Sequence, residues 1–263
     1  LGARDWLELA HVLSPLPSSP VGCLAMPVHV SATVGVITEV RSGPRGRMWE
    51  VMVQDVWPVV IDERRALIED LSDLSGTQWA TQSLCARWSV HDVLAHLVDT
   101  AKTGRITFVR DMVLARFDFD RQNQAGVVRE RATTPDETLD RFRAVVDLRR
   151  SPPAPLDSRL VEAIVHGEDI RRPLGITRVY PTEAVVDALR LQARTSESMG
   201  GAKKLLAGLT LLADDADLRL GDGPIVEGPV LDLLLVASGR TVALENLRGP
   251  GLGELRERGG WSR

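Results

Sequence analysis

Two stretches decide the fold: SVHDVLAHLVD at 89–99 and VEAIVHGEDIRRPLG at 161–175. In the first, Ser89 stands as an N-cap with Asp92 three residues on, a capping-box pattern. Val90, Val93, Leu94, Leu97 and Val98 then recur at helical spacing. His96 interrupts that apolar stripe, where an unpaired imidazole is costly. In the second, Glu162 and His166 are four apart, so a helix sets them about 6 Å apart along one face. Leu160, Ile164 and Ile170 form the apolar part of that helix, and Pro173 and Gly175 end it. Two imidazoles and a carboxylate make a three-ligand set suited to zinc or a similar divalent ion. Three protein ligands leave one position open, the arrangement of a catalytic rather than a structural metal. Such sites are built between facing helices of bundles. A plainer reading stands beside this one, because an i, i+4 Glu/His pair is also an ordinary surface contact.

The same periodicities extend outward. From Trp49 to about Leu74, apolar residues recur at Val53, Val56, Val60, Leu67, Ile68 and Leu71, and Pro58 places the real start near Trp57. Thr134-Pro135-Asp136-Glu137 starts another helix, with Pro at N1 and Glu at N3. Between them, Ile106 to about Arg131 reads as one helix or two, with FDFD at 117–120 near the break. Leu156 to Arg172 is helical, and so is Pro181 to about Ser198. GLTLLADD, DLRLG and PIVEG then read as short strands separated by DD and GDG turns. GDGP at 221–224 lacks the Lys-Ser/Thr of a phosphate-binding loop and reads as a turn. VLDLLLVASG, VALENL and GLGELRER read as short helices. The expected organisation is mainly α: a helical bundle over 48–177 and a small α+β domain over 178–263. Residues 1–47, with SPLPSSP, SGPRGR and a lone β-like run VHVSATVGVITEV, read as an extension upstream of the domain. An over-long reading frame and a docking arm are both compatible with it.

Hydrophobic content of 44% and charged content of 26% are those of a soluble globular protein. A net charge of −4 argues against a general nucleic-acid binder. Three lysines against 29 arginines suggest a GC-rich coding genome. Cys23 and Cys85 form no CxxC pair and no disulfide framework, which favours a reducing cytoplasm. The densest apolar run, LDLLLVA at 231–237, is too short to span a membrane.

WATQSLCARWSVHDVLAHL at 79–97 with EAIVHGEDIRRPLG at 162–175 resembles the mycothiol-dependent maleylpyruvate isomerase family, a branch of the DinB-like metal-binding bundles. LRLGDGPIVEGPVLDLLLVASGRTVALENLRGPG is similar to the small second domain of these proteins, and the likeness runs from about Trp49 to Arg258. The resemblance implies a four-helix bundle holding a divalent metal, commonly zinc, through His96, Glu162 and His166. It also implies that mycothiol is activated at the metal and attacks a small electrophile, as in an isomerase or thiol transferase. An arginine of the second domain assists in the isomerase, and Arg240 is the matching residue; its plainer reading is a helix-end arginine in solvent.

Two other functions fit the same residues: a metal-dependent hydrolase with water at the open position, and a non-catalytic, metal-stabilised regulatory or interaction protein. The actinobacterial character suggested by composition fits a mycothiol user. The expected partners are a small-molecule substrate and a thiol, with no nucleic acid or membrane, in a monomer or homodimer. Asp169, three after His166, reads as an acceptor orienting an imidazole, or as a partner of Arg171 or Arg172. Cys85 reads as buried packing, and Trp79 and Trp88 as anchors of the loop between the first two helices. His91 is rotated away from His96 and is expected at the surface.

Overall fold

Pro58 lies in the first turn of α1 (Trp57–Leu71), where its missing N–H has no intrahelical acceptor to lose. The computed structural model describes residues 55–261, so the expected 1–47 extension lies outside the described residues. A capping box at Ser75 starts the single turn α2 (Gly76–Trp79), and a second at Ser89 and Asp92 starts α3 (Val90–Lys102). The 106–131 region divides into α4 (Arg105–Leu114) and α5 (Phe119–Glu130). The break falls at Arg116 and Phe117, with φ of 57° and 59°, and Asp118 then caps α5 through the Arg121 amide. Thr134 and Glu137 form the third capping box, at α6 (Pro135–Arg143). In α7 (Ser158–Arg171) the helix tightens into a 3-10 turn at Arg172–Leu174 and stops at Gly175, whose φ is 70°.

Helix α3 is the centre of the bundle, packed against α5, α6 and α7, while α1 lies against α6 and α7. Leu71, Trp79, Trp88, Leu94, Val98, Leu139, Phe142 and Ile170 fill this core. The remainder is α+β. Helix α8 (Thr182–Arg194) leads to β1 (Thr210–Ala213), β2 (Arg219–Leu220) and β3 (Ile225–Gly228), then α9 (Val230–Ala237), a 3-10 turn at Thr241–Asn246 and α10 (Leu252–Arg258). The strands lie in the order β2-β1-β3. Leu211 pairs antiparallel with Leu220 and parallel with Val226.

The two parts share their core. Val60 and Ile61 of α1, with Leu160, Ile164 and Val165 of α7, belong to the same apolar cluster as Leu189, Leu233, Leu234 and Leu235. A buried polar network reinforces the junction. Arg171, fully buried, donates to Asp70 at 2.7 Å and to the Tyr180 hydroxyl at 2.8 Å, and that hydroxyl donates to Glu168 at 2.7 Å. Arg172 joins Glu168 at 2.8 Å to Asp232 of α9 at 2.6 Å.

His91 departs from expectation: it is buried, with its Nε2 2.7 Å from Thr138 Oγ1 and its ring edge-on to Trp79. The reason is the central position of α3. A face rotated away from His96 meets α6 instead of water. Thr138, itself fully buried, also accepts from the Ala132 amide at 3.0 Å. Thr138→Val keeps the shape and strands both partners, so it should lower stability by about 2 kcal/mol, measured by urea unfolding.

Candidate metal centre

Helices α3 and α7 bring His96, Glu162 and His166 to the lining of one cleft. The His96 and His166 rings lie 4.8 Å apart, centre to centre, at 77°. Trp88, next to the Ser89 cap, tilts over His96 at 4.9 Å. Glu162 follows one turn before His166. All three line one small cleft, with Thr100, Gln122, Asn123, Ser158 and Arg159 as further polar wall and Phe108 and Phe119 on the apolar side.

Burial, with the nearby His166 second, pushes His96 down to about 3, so its imidazole is neutral at physiological pH. Its Nδ1 is buried with no hydrogen-bond partner among the described residues. Burial alone would raise the Glu162 carboxyl. The Arg159 guanidinium, 2.9 Å away, outweighs that with help from both histidines, and the net shift is downward. The site therefore offers an ionised carboxylate beside a neutral imidazole with an unused nitrogen. That donor set fits a divalent cation.

His166 is oriented from behind. Its Nδ1 lies 2.8 Å from Asp169 Oδ2. Arg240 donates to both oxygens of that carboxylate, from Nε at 2.9 Å and from Nη2 at 2.6 Å. Burial would raise Asp169, but Arg240 and His166 hold it at about 2. An ionised Asp169 makes His166 Nδ1 the donor, which leaves Nε2 with its lone pair for a metal. Asp169 thus takes the orienting role and leaves Arg171 and Arg172 to other carboxylates. Arg240 is buried, so it is no helix-end residue in solvent, and it sits behind His166 instead of on the cleft wall.

A second group of metal-ligating type overlaps the first. Cys85, His166 and Asp169 offer ligand atoms within 4.8 Å of one another, although the Cys85 sulfur is disulfide-bonded, against the expectation of no disulfide. Electrostatics disfavours it. The Arg240 Nη2 is 3.3 Å from Cys85 Sγ and 2.6 Å from Asp169 Oδ2, so a guanidinium already stands where a cation would go. The cleft-lining set also carries a guanidinium, Arg159, 2.9 Å from Glu162, but its His96 keeps a buried Nδ1 with no partner among the described residues.

Sequence reasoning missed Asn123, Ser158 and Arg159. Arg159 precedes Glu162 by three, a same-face spacing that was there to be read. Asn123 comes from α5, and no local pattern connects it to α7.

Residues 60–158 match the family model described as mycothiol maleylpyruvate isomerase N-terminal domain, which bears out the resemblance. The match includes His96 and ends before Glu162 and His166. The crystal structure of the mycothiol-dependent maleylpyruvate isomerase, and that of a histidine-to-alanine variant of it, share the fold. Each has a TM-score of 0.53 and 16% identity over 74% of this chain and 91% of the other. No curated protein matches.

Arg240→Met would leave the Asp169 carboxylate buried without its cation. A loss of about 3 to 5 kcal/mol in stability is expected, and the added change Asp169→Asn should recover part of it. A double-mutant cycle by chemical unfolding measures this coupling.

Proposed function

We propose that this chain is a metal-dependent enzyme in which His96, Glu162 and His166 hold a divalent cation, zinc by the chemistry of the donors. Its cosubstrate is a low-molecular-weight thiol, mycothiol, and its reaction an isomerisation or thiol transfer on a small electrophile. The observation that carries the metal assignment is His96: a buried, neutral imidazole with an unpartnered Nδ1, in the same cleft as Glu162 and His166. The thiol comes from the match of residues 60–158 to the mycothiol maleylpyruvate isomerase N-terminal domain.

A bound divalent cation would stabilise a thiolate at neutral pH and polarise a substrate carbonyl. The chain's own residues prepare that chemistry. His96 is neutral without competition from protons. Asp169 fixes the tautomer of His166, and Arg240 fixes Asp169. Arg240 is thus a positioning residue acting through Asp169. Phe108 and Phe119 keep one side of the cleft apolar. In an isomerisation, thiolate addition to a conjugated double bond allows rotation about the resulting single bond. Elimination then re-forms the double bond and releases the thiol. No helix among the described residues is long and apolar enough to cross a membrane, and the proposed setting is the cytoplasm.

Metal analysis of the purified protein should find about one zinc per chain, with strong loss in both His96→Ala and Glu162→Ala. Full occupancy in both variants would sink the assignment. Asp169→Asn should weaken zinc binding by about 10- to 100-fold, as expected for a residue that orients a ligand, and competition with a chelator reads this out. Turnover of maleylpyruvate should require both mycothiol and the metal; hydrolytic turnover without thiol would mark the scaffold as a hydrolase.

A further inference from the structure

Buried polar atoms without partners are concentrated in the cleft. Among the described residues, His96 Nδ1, Asn123 Nδ2, Ser158 Oγ and Arg159 Nε are all of this kind, and all four residues line it. The first is assigned above to the proposed metal. The other three belong to side chains that are 5%, 2% and 4% exposed, and each can donate a hydrogen bond. Folded proteins rarely leave such donors unpaired, so three of them lining one cleft point to a ligand rich in acceptors.

Charge gives the sign of that ligand. The Arg159 guanidinium is neutralised by Glu162 at 2.9 Å, and these two are the charged pair on the cleft wall. A divalent cation held by Glu162 would take over the carboxylate that neutralises Arg159. Two positive charges would be added, with no further carboxylate on the wall to meet them. A thiolate answers part of this excess and leaves Arg159 without a counter-charge.

We propose that Arg159, Asn123 and Ser158 form a carboxylate-binding subsite that anchors an anionic group of the electrophilic substrate beside the metal. The proposal rests on the metal reading above. Arg159 exchanges partners: it pairs with Glu162 in the metal-free protein and with the ligand's carboxylate in the loaded one. Its planar guanidinium can offer a carboxylate two donors, and Asn123 and Ser158 supply donors to either side. The subsite fixes where the substrate lies along the cleft, so it sets specificity and takes no part in bond making.

The test uses calorimetric titration of succinate, with succinamide as its uncharged counterpart, into zinc-loaded and metal-free protein. Succinate should bind the zinc-loaded protein at least tenfold more tightly than the metal-free form, and succinamide should bind neither. Arg159→Gln should retain its zinc by metal analysis and weaken succinate by about 10- to 100-fold. Asn123→Asp sets a negative charge among the donors and should weaken succinate by at least tenfold, which keeps the test decisive if Arg159→Gln does not fold. Zinc-loaded variants that bind succinate as the wild type does would overturn the subsite and leave the metal assignment standing. A wild type that takes up no zinc would overturn the metal assignment and the proposal with it.

Discussion

The Asp169 carboxylate lies fully buried between the His166 imidazole and the Arg240 guanidinium, and most of the remaining arrangement follows from that contact. A carboxylate in such a place survives as an ion only with a full counter-charge and good geometry. Arg240 provides both, reaching from the turn after α9 onto α7. The same bond fixes which His166 nitrogen carries the proton, and so which one faces the cleft. One ion pair therefore sets the junction of the two parts of the chain and the orientation of a proposed metal ligand together.

That coupling explains why the helical bundle and the α+β part do not read as separate bodies. Helix α7 gives Leu160, Ile164 and Val165 to one core and Ile170 to the other, while its polar face carries Glu162, His166 and Asp169. Helix α1 is divided in the same way, with Val60 and Ile61 in one core and Leu67 and Leu71 in the other. A helix serving two cores has little freedom to shift. Rigid placement of this kind suits a site whose donors must meet at one point.

The comparison between expectation and structure is uneven for physical reasons. Capping boxes and helical stripes are local, so Ser89, Thr134 and the turns at 173–175 were legible, as were the three short strands. The spacing of Glu162 and His166 is likewise a property of one helix. His91 was misjudged because the position of α6 across α3 is not local information. Arg240 was singled out, but its burial and its hold on Asp169 appear only when α9 has docked. Asn123 carries no sequence signal because it comes to line the cleft only through the packing of α5 in the bundle.

The sequence by itself determined the helices, their caps, the α+β ending and the three side chains suited to a divalent ion, because these depend on residue type and on spacing within one element. The tertiary structure decided which face of α3 is wet, which nitrogen of His166 is left to bind, and which arginine neutralises which carboxylate. Those outcomes depend on desolvation and on charges a few ångströms away, and the neighbours responsible are set by packing between elements far apart in the chain.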